Sequence, residues 1–64
     1  MQQERNLYDV VTLSTDLPEE GLAKGACGAI VAIYLDGKAY EVEFETPTGT
    51  RVVTVPPQLI EEAG

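Results

Sequence analysis

The side chains able to do chemistry in this sequence are few, and the most regular set is a stripe of three glutamates, Glu41, Glu43 and Glu45. Alternate residues of a strand lie on the same face, so neighbouring carboxylates of this stripe would be about 6–7 Å apart. That separation is too wide for two of them to chelate one cation without further ligands. The stripe is interpreted as a solvated outer face, with electrostatic recognition of a basic partner as the functional alternative.

The sequence contains few residues that could act as activated nucleophiles or as metal ligands. The sequence has no histidine and one cysteine, Cys27, which excludes a Ser-His-Asp triad, a Cys-His pair and a Cys/His zinc site. No histidine is present to activate the thiol, and free cysteine is among the most often buried residue types. We therefore expect Cys27 in the core, and a protein with no catalytic activity, no metal and no cofactor.

The charge of the chain restricts its partners. Eleven Asp and Glu residues against four Lys and Arg residues give a net charge of -7. Nucleic acids and anionic membranes are bound by clusters of basic residues, whereas these four occur singly. No stretch approaches the roughly 20 apolar residues that span a bilayer, and no signal-peptide pattern is present. We predict a cytoplasmic protein that binds protein rather than nucleic acid or membrane.

A chain of 64 residues can form one domain with a small core. The polar residues 1–6 are expected to be frayed, and residues 7–64 are expected to form the domain. Because so small a core gives limited stability, self-association would help to stabilise the fold.

Hydrophobic patterning predicts four short strands, at residues 8–15, 26–35, 39–45 and 51–55. The third is the clearest, because Tyr40, Val42 and Phe44 alternate with the glutamates and must face the core. The second is an almost continuous apolar run, which its β-branched residues and the following Asp36-Gly37 pair favour as a buried strand.

The segments between the predicted strands contain residues typical of turns. Asp36-Gly37 predicts a type I′ hairpin turn, and residues 46–50 predict a second tight turn. Residues 16–25 read as a long structured loop whose leucines return to the core. Pro56-Pro57 ends the fourth strand, and residues 58–62 are expected to form a 3₁₀ turn and a brief edge strand. The order predicts an all-β fold, a small SH3-like, partly open β-barrel of four to five strands.

The spacing of Gly25, Gly28, Ile30 and Ile33 resembles the KOW-type signature of SH3-like barrels. The resemblance implies that both isoleucines point inward and that the glycines permit a bend or bulge where the loop enters the barrel. KOW modules are often associated with nucleic acid or ribosomes, but the basic residues expected for that activity are absent here. The resemblance therefore implies the fold and not the activity.

A longer ordered pattern runs from about residue 7 to residue 59 and includes Leu7-Tyr8-Asp9-Val10-Val11, Asp16-Leu17-Pro18, Gly28-x-Ile30-Val31 and Ala39-Tyr40-Glu41-Val42-Glu43-Phe44. It resembles a small bacterial family, domain of unknown function 4926. The resemblance implies no activity and no functional residues. Members are short stand-alone proteins, often in mobile or defence-like gene neighbourhoods, which implies an antitoxin or immunity-like role.

Surplus apolar side chains indicate an interaction surface. If Ile30 and Ile33 point inward, Val31 and Tyr34 need cover elsewhere, as do Val10 and Val52. A symmetric homodimer is the commonest way to bury such a patch. Tyrosine suits an interface anchor because a large ring ends in a polar hydroxyl. The candidate interface residues are Tyr8, Val31, Tyr34, Glu41, Glu43 and Glu45.

These observations predict a non-catalytic protein–protein interaction module that associates with itself, as a dimer or higher oligomer, or with another protein. An antitoxin or immunity protein that binds and masks a neighbouring toxin is one alternative. An accessory subunit or regulator of an enzyme or ribosomal assembly is another.

Overall fold

Five short strands form one antiparallel sheet in the computed structural model, which describes residues 5–63. The strands are β1 (Val10–Leu13), β2 (Cys27–Tyr34), β3 (Ala39–Thr46), β4 (Gly49–Val55) and β5 (Ile60–Glu62). Their order across the sheet is β4-β3-β2-β1-β5. Of the segment predicted to be frayed, residues 1–4 lie outside the described part of the chain.

The sheet is curled because its two edges are joined by a short connection. Strands β4 and β5 lie at opposite edges, yet only residues 56–59 separate them in sequence. The edges of a flat five-stranded sheet would be about 19 Å apart. Five extended residue steps reach at most about 18 Å, and part of this connection is the compact 3₁₀ turn Pro57–Leu59. A flat sheet is therefore impossible, and the predicted SH3-like, partly open barrel is confirmed.

One apolar core fills the curled sheet. It consists of Val11, Leu13, Leu22, Ile30, Tyr40, Val42, Phe44, Val55 and Ile60. Both edge strands contribute to it, as expected of a sheet that closes on itself, and β3 contributes the three residues predicted from its alternation. The long loop after β1 contains a 3₁₀ turn, Pro18–Glu20, and its Leu22 is buried in the core while Leu17 packs partly against it.

The turn between β2 and β3 is longer than the two-residue hairpin predicted. Asp36 (φ 56°) and Gly37 (φ 89°) both have positive φ, as in a type I′ turn. Leu35 also has positive φ, 54°, which takes it out of the extended conformation that a ladder needs. The last cross-strand pair is therefore Tyr34 with Ala39, and residues 35–38 form the loop.

A β-bulge in β2 determines the placement of Ile33. Ile30 pairs with Val42 and Ala32 pairs with Glu41, so Val31 has no cross-strand partner. The extra residue returns Ile33 to the inner side of the sheet, although it lies an odd number of positions from Ile30. Ile33 is nevertheless 37% exposed, because the strand ends one residue later at the open end of the barrel. Both isoleucines therefore lie on the inner side as expected, but only Ile30 is buried in the core.

The position of Cys27 is also corrected. It is the first residue of β2 and is exposed, although the sequence suggested burial. Its neighbour Gly28 is buried on the inner side, so alternation along the strand turns Cys27 outward. Strand parity here outweighs the general preference of cysteine for the interior.

Candidate interaction surface

The outer face of the sheet carries a row of four residues contributed by four strands. Glu43 of β3 pairs with Val52 of β4 on one side and with Ala29 of β2 on the other, and Ala29 pairs with Val10 of β1. Directly paired residues lie on the same face of a sheet. Val10 is 55% exposed and Val52 is 53% exposed. The row therefore has an accessible valine at each end and a half-buried carboxylate within it.

Tyr34 and Glu41 meet on the same face, nearer the β2–β3 turn. Tyr34 pairs with Ala39, and Glu41 follows Ala39 by two residues, so the two side chains are diagonal neighbours. The negative charge of Glu41 raises the pKa of Tyr34 above its ordinary 10.0, with smaller contributions from desolvation and from a hydrogen bond to Glu41. Two predicted interface residues are thus neighbours on the outer face.

We expect Glu41→Gln to lower the pKa of Tyr34 toward 10.0, because the substitution removes the charge that opposes formation of the tyrosinate. NMR titration of the tyrosine ring carbons measures this pKa. Glu45→Gln is the matched control, since it removes the same charge farther along the same strand and should leave the pKa of Tyr34 in place. An equal decrease in both variants would assign the effect to net charge instead of to Glu41.

The other predicted residues occupy separate places. Glu45 is exposed at the far end of β3, where it pairs with Thr50. Val31 is the half-buried bulge residue of β2. Tyr8 precedes β1 with a positive φ of 70°, is 74% exposed, and donates its backbone N–H to the Ile30 carbonyl at 2.7 Å. Tyr8 and Val31 are thus both adjacent to Ile30, whereas the three glutamates and Tyr34 share the outer face.

The outer-face glutamates do not converge on one point. Among residues 5–63, no three acidic or cysteine side chains are grouped closely enough to hold a metal ion. The same described range contains no helix of the length and apolarity needed to cross a membrane. The outer face therefore combines distributed negative charge with apolar side chains. Such a surface is complementary to a positively charged protein surface.

A cleft of about 790 Å³ lies at the open end of the barrel, and the sequence did not predict it. Its lining residues are Arg5, Asp36, Gly37, Lys38, Tyr40, Pro56, Pro57 and Gln58. These residues come from three distant parts of the chain, so no local sequence motif predicts the cleft. The sequence contains only four basic residues, which makes each of them a candidate for anion binding, and two of the four line this cleft.

One family model matches this chain, Domain of unknown function (DUF4926), over residues 7–61. The match covers β1 to β4, the first two residues of β5 and most of the 64 residues. The chain belongs to the DUF4926 family. The resemblance noted from the ordered sequence motifs is thereby confirmed. No curated protein and no solved structure matches this DUF4926 chain.

Proposed function

We propose that this protein is a non-catalytic, cytoplasmic protein-binding module that binds through the outer face and the β4 edge of its sheet. The observation that supports the proposal is the pair of half-exposed valines, Val10 and Val52, held in one row with Glu43. Exposed apolar side chains on an ordered sheet lose contact with water when a partner covers them, which favours association.

The residues around the row suit a protein partner. Interfaces combine an apolar centre with a polar rim, and tyrosine is enriched among residues that contribute most to binding. Tyr34, 46% exposed, supplies such a ring beside Glu41. Glu41 and Glu43 would attract a basic surface and repel an acidic one, so they would act on the association rate and on partner choice.

A second copy of the chain would be accommodated by the β4 edge. Strand β4 lies at one edge of the sheet, so the backbone groups on its outer side have no strand partner within residues 5–63. Val52 is the midpoint of Gly49–Val55, and a symmetric antiparallel pair of β4 strands centred there would bring the two Val52 side chains together. Both sheets would then continue across the dimer, while the glutamates of β3 would remain one strand away from the contact.

The expected result is a dimer that Val52→Lys disrupts. In the symmetric pair, two lysines would replace two adjoining valines, which removes apolar contact and introduces like charges. Sedimentation velocity over micromolar to submillimolar concentrations should give twice the 6.9 kDa chain mass for the unchanged protein and the single mass for the variant. Leu35→Lys is the control, because it makes the same substitution type at a 73% exposed position in the β2–β3 turn.

A single mass at every concentration would contradict self-association and leave a different protein as the occupant of this face. The antitoxin and accessory-subunit hypotheses both require such a partner. Co-purification of the product of the adjacent gene with the unchanged protein, but not with Val52→Lys, would support the first of them.

A further inference from the structure

Four of the eight residues that line the cleft at the open end of the barrel have side chains that can donate hydrogen bonds, namely Arg5, Lys38, Tyr40 and Gln58. The cleft lies between the 35–38 turn and the connection that closes the sheet, with Arg5 on its wall. Its volume of about 790 Å³ falls within the range of small-ligand sites. Pro56 and Pro57 contribute apolar wall and have no backbone N–H to offer a ligand.

Tyr40 supplies a donor from a buried residue. Only 5% of this residue is exposed, and its ring is part of the core. Its hydroxyl lies beneath Gly37, where an added Cβ would stand 3.4 Å from the oxygen. Within residues 5–63 the hydroxyl makes no side-chain hydrogen bond, yet Tyr40 lines the cleft. Among residues 5–63 no side-chain oxygen is both buried and without a partner, so the Tyr40 hydroxyl is accessible from the cleft and available to a ligand.

Two basic residues, Arg5 and Lys38, also line the cleft. Arg5 and Lys38 are half of the four basic residues in a chain of net charge -7. The ion pair described within residues 5–63 joins Arg51 to Glu20, so it uses neither of them. Arg5 is half-buried and directs Nη2 to the Ile60 carbonyl at 3.4 Å, a long contact that leaves other guanidinium donors for a ligand.

We propose that this cleft binds an oxyanion, the carboxylate or phosphate group of a small ligand. Guanidinium and ammonium groups only donate hydrogen bonds, and the Tyr40 hydroxyl is free to donate, so the matching ligand is an anionic acceptor. Asp36 also lines the cleft and partly offsets the two positive charges. The other acidic residues of the protein oppose anion binding, and salt reduces this opposition, since the Debye length is about 8 Å at physiological ionic strength.

The test is an amide NMR titration of the intact protein with sodium phosphate and, separately, with sodium acetate at constant ionic strength. Saturable shifts at Gly37, Lys38 and Gln58 are expected for at least one of the two anions. Whichever anion binds more tightly identifies the group as phosphate or carboxylate. Lys38→Met should weaken that binding about tenfold or more, as expected for loss of a hydrogen bond to a charged group.

Two further variants separate a built site from general charge. Tyr40→Phe keeps the buried ring and removes only the hydroxyl, so it should weaken binding severalfold while the melting temperature confirms that the fold is retained. Lys24→Met makes the same charge change as Lys38→Met at an exposed position outside the cleft, and should leave the affinity within about twofold. Equal losses in the two lysine variants, or shifts that do not saturate with either anion, would overturn the proposal.

Discussion

Phe44→Ala is expected to lower the free energy of unfolding by about 3–5 kcal/mol. Phe44 is the largest of the fully buried side chains, with 0% exposure, and it lies opposite Gly28 of β2 and Arg51 of β4. Removing its ring takes away apolar contact and leaves a cavity that a curled sheet with both edges tied cannot easily collapse. A domain of this length has a total stability of only about 3–10 kcal/mol, so much of the protein would unfold.

Urea denaturation followed by circular dichroism measures the effect. Leu7→Ala is the control, because it also truncates an apolar side chain, but at a position that is 48% exposed. The control should change stability by no more than about 0.5 kcal/mol. A loss below about 1 kcal/mol for Phe44→Ala would be incompatible with its place at the centre of the core.

Gly28→Val is expected to destabilise the protein by at least about 2–3 kcal/mol, although valine is the better strand former. A Cβ at this position would stand 2.7 Å from Val42 Cγ1, 2.8 Å from the Glu43 carbonyl oxygen and 2.8 Å from Phe44 Cδ1. The two side chains could adjust, but the carbonyl oxygen belongs to the backbone of the neighbouring strand. The strands would therefore have to move apart.

Ala29→Val is a matched control for this clash. It introduces the same residue one position along β2, on the outer face, where the side chain is half-buried. Strand propensity then acts without the clash, so the variant should be neutral or slightly stabilised in the same urea experiment. If the two variants behaved alike, the close approach of β3 to Gly28 would not be the reason for glycine at this position.

The strand pattern was readable from sequence wherever side chains alternate strictly. Tyr40, Val42 and Phe44 were assigned to the core on period alone, and Pro56-Pro57 marked the end of β4 correctly. Residue-type preference alone places Cys27 in the core, whereas its position three residues before the inward-facing Ile30 turns it outward, as observed. In a short strand, the alternation of residues between the two faces therefore predicts burial better than residue type does.

Features that depend on tertiary structure were beyond the sequence. The bulge at Val31 arises where β2 must bend around the core, and no residue type marks it. Ile33 is exposed because it lies at the open end of the barrel, and the residues adjacent to it in sequence do not indicate this. On the outer face, the proximity of Tyr34 to Glu41 follows from the register of β2 on β3, which the longer 35–38 turn sets.

The short connection between the two edges of the sheet also has a kinetic consequence. Strands β2, β3 and β4 are joined by tight turns and can pair early, whereas β1 and β5 pair residues as far apart as Val11 and Glu62. Contacts between distant residues carry a larger loop-closure entropy and form late in folding. The donor-lined cleft draws on Arg5 and on Pro56–Gln58, so it exists only after this last step. An anion that binds there would therefore shift the equilibrium toward the closed barrel, because it binds the closed form alone.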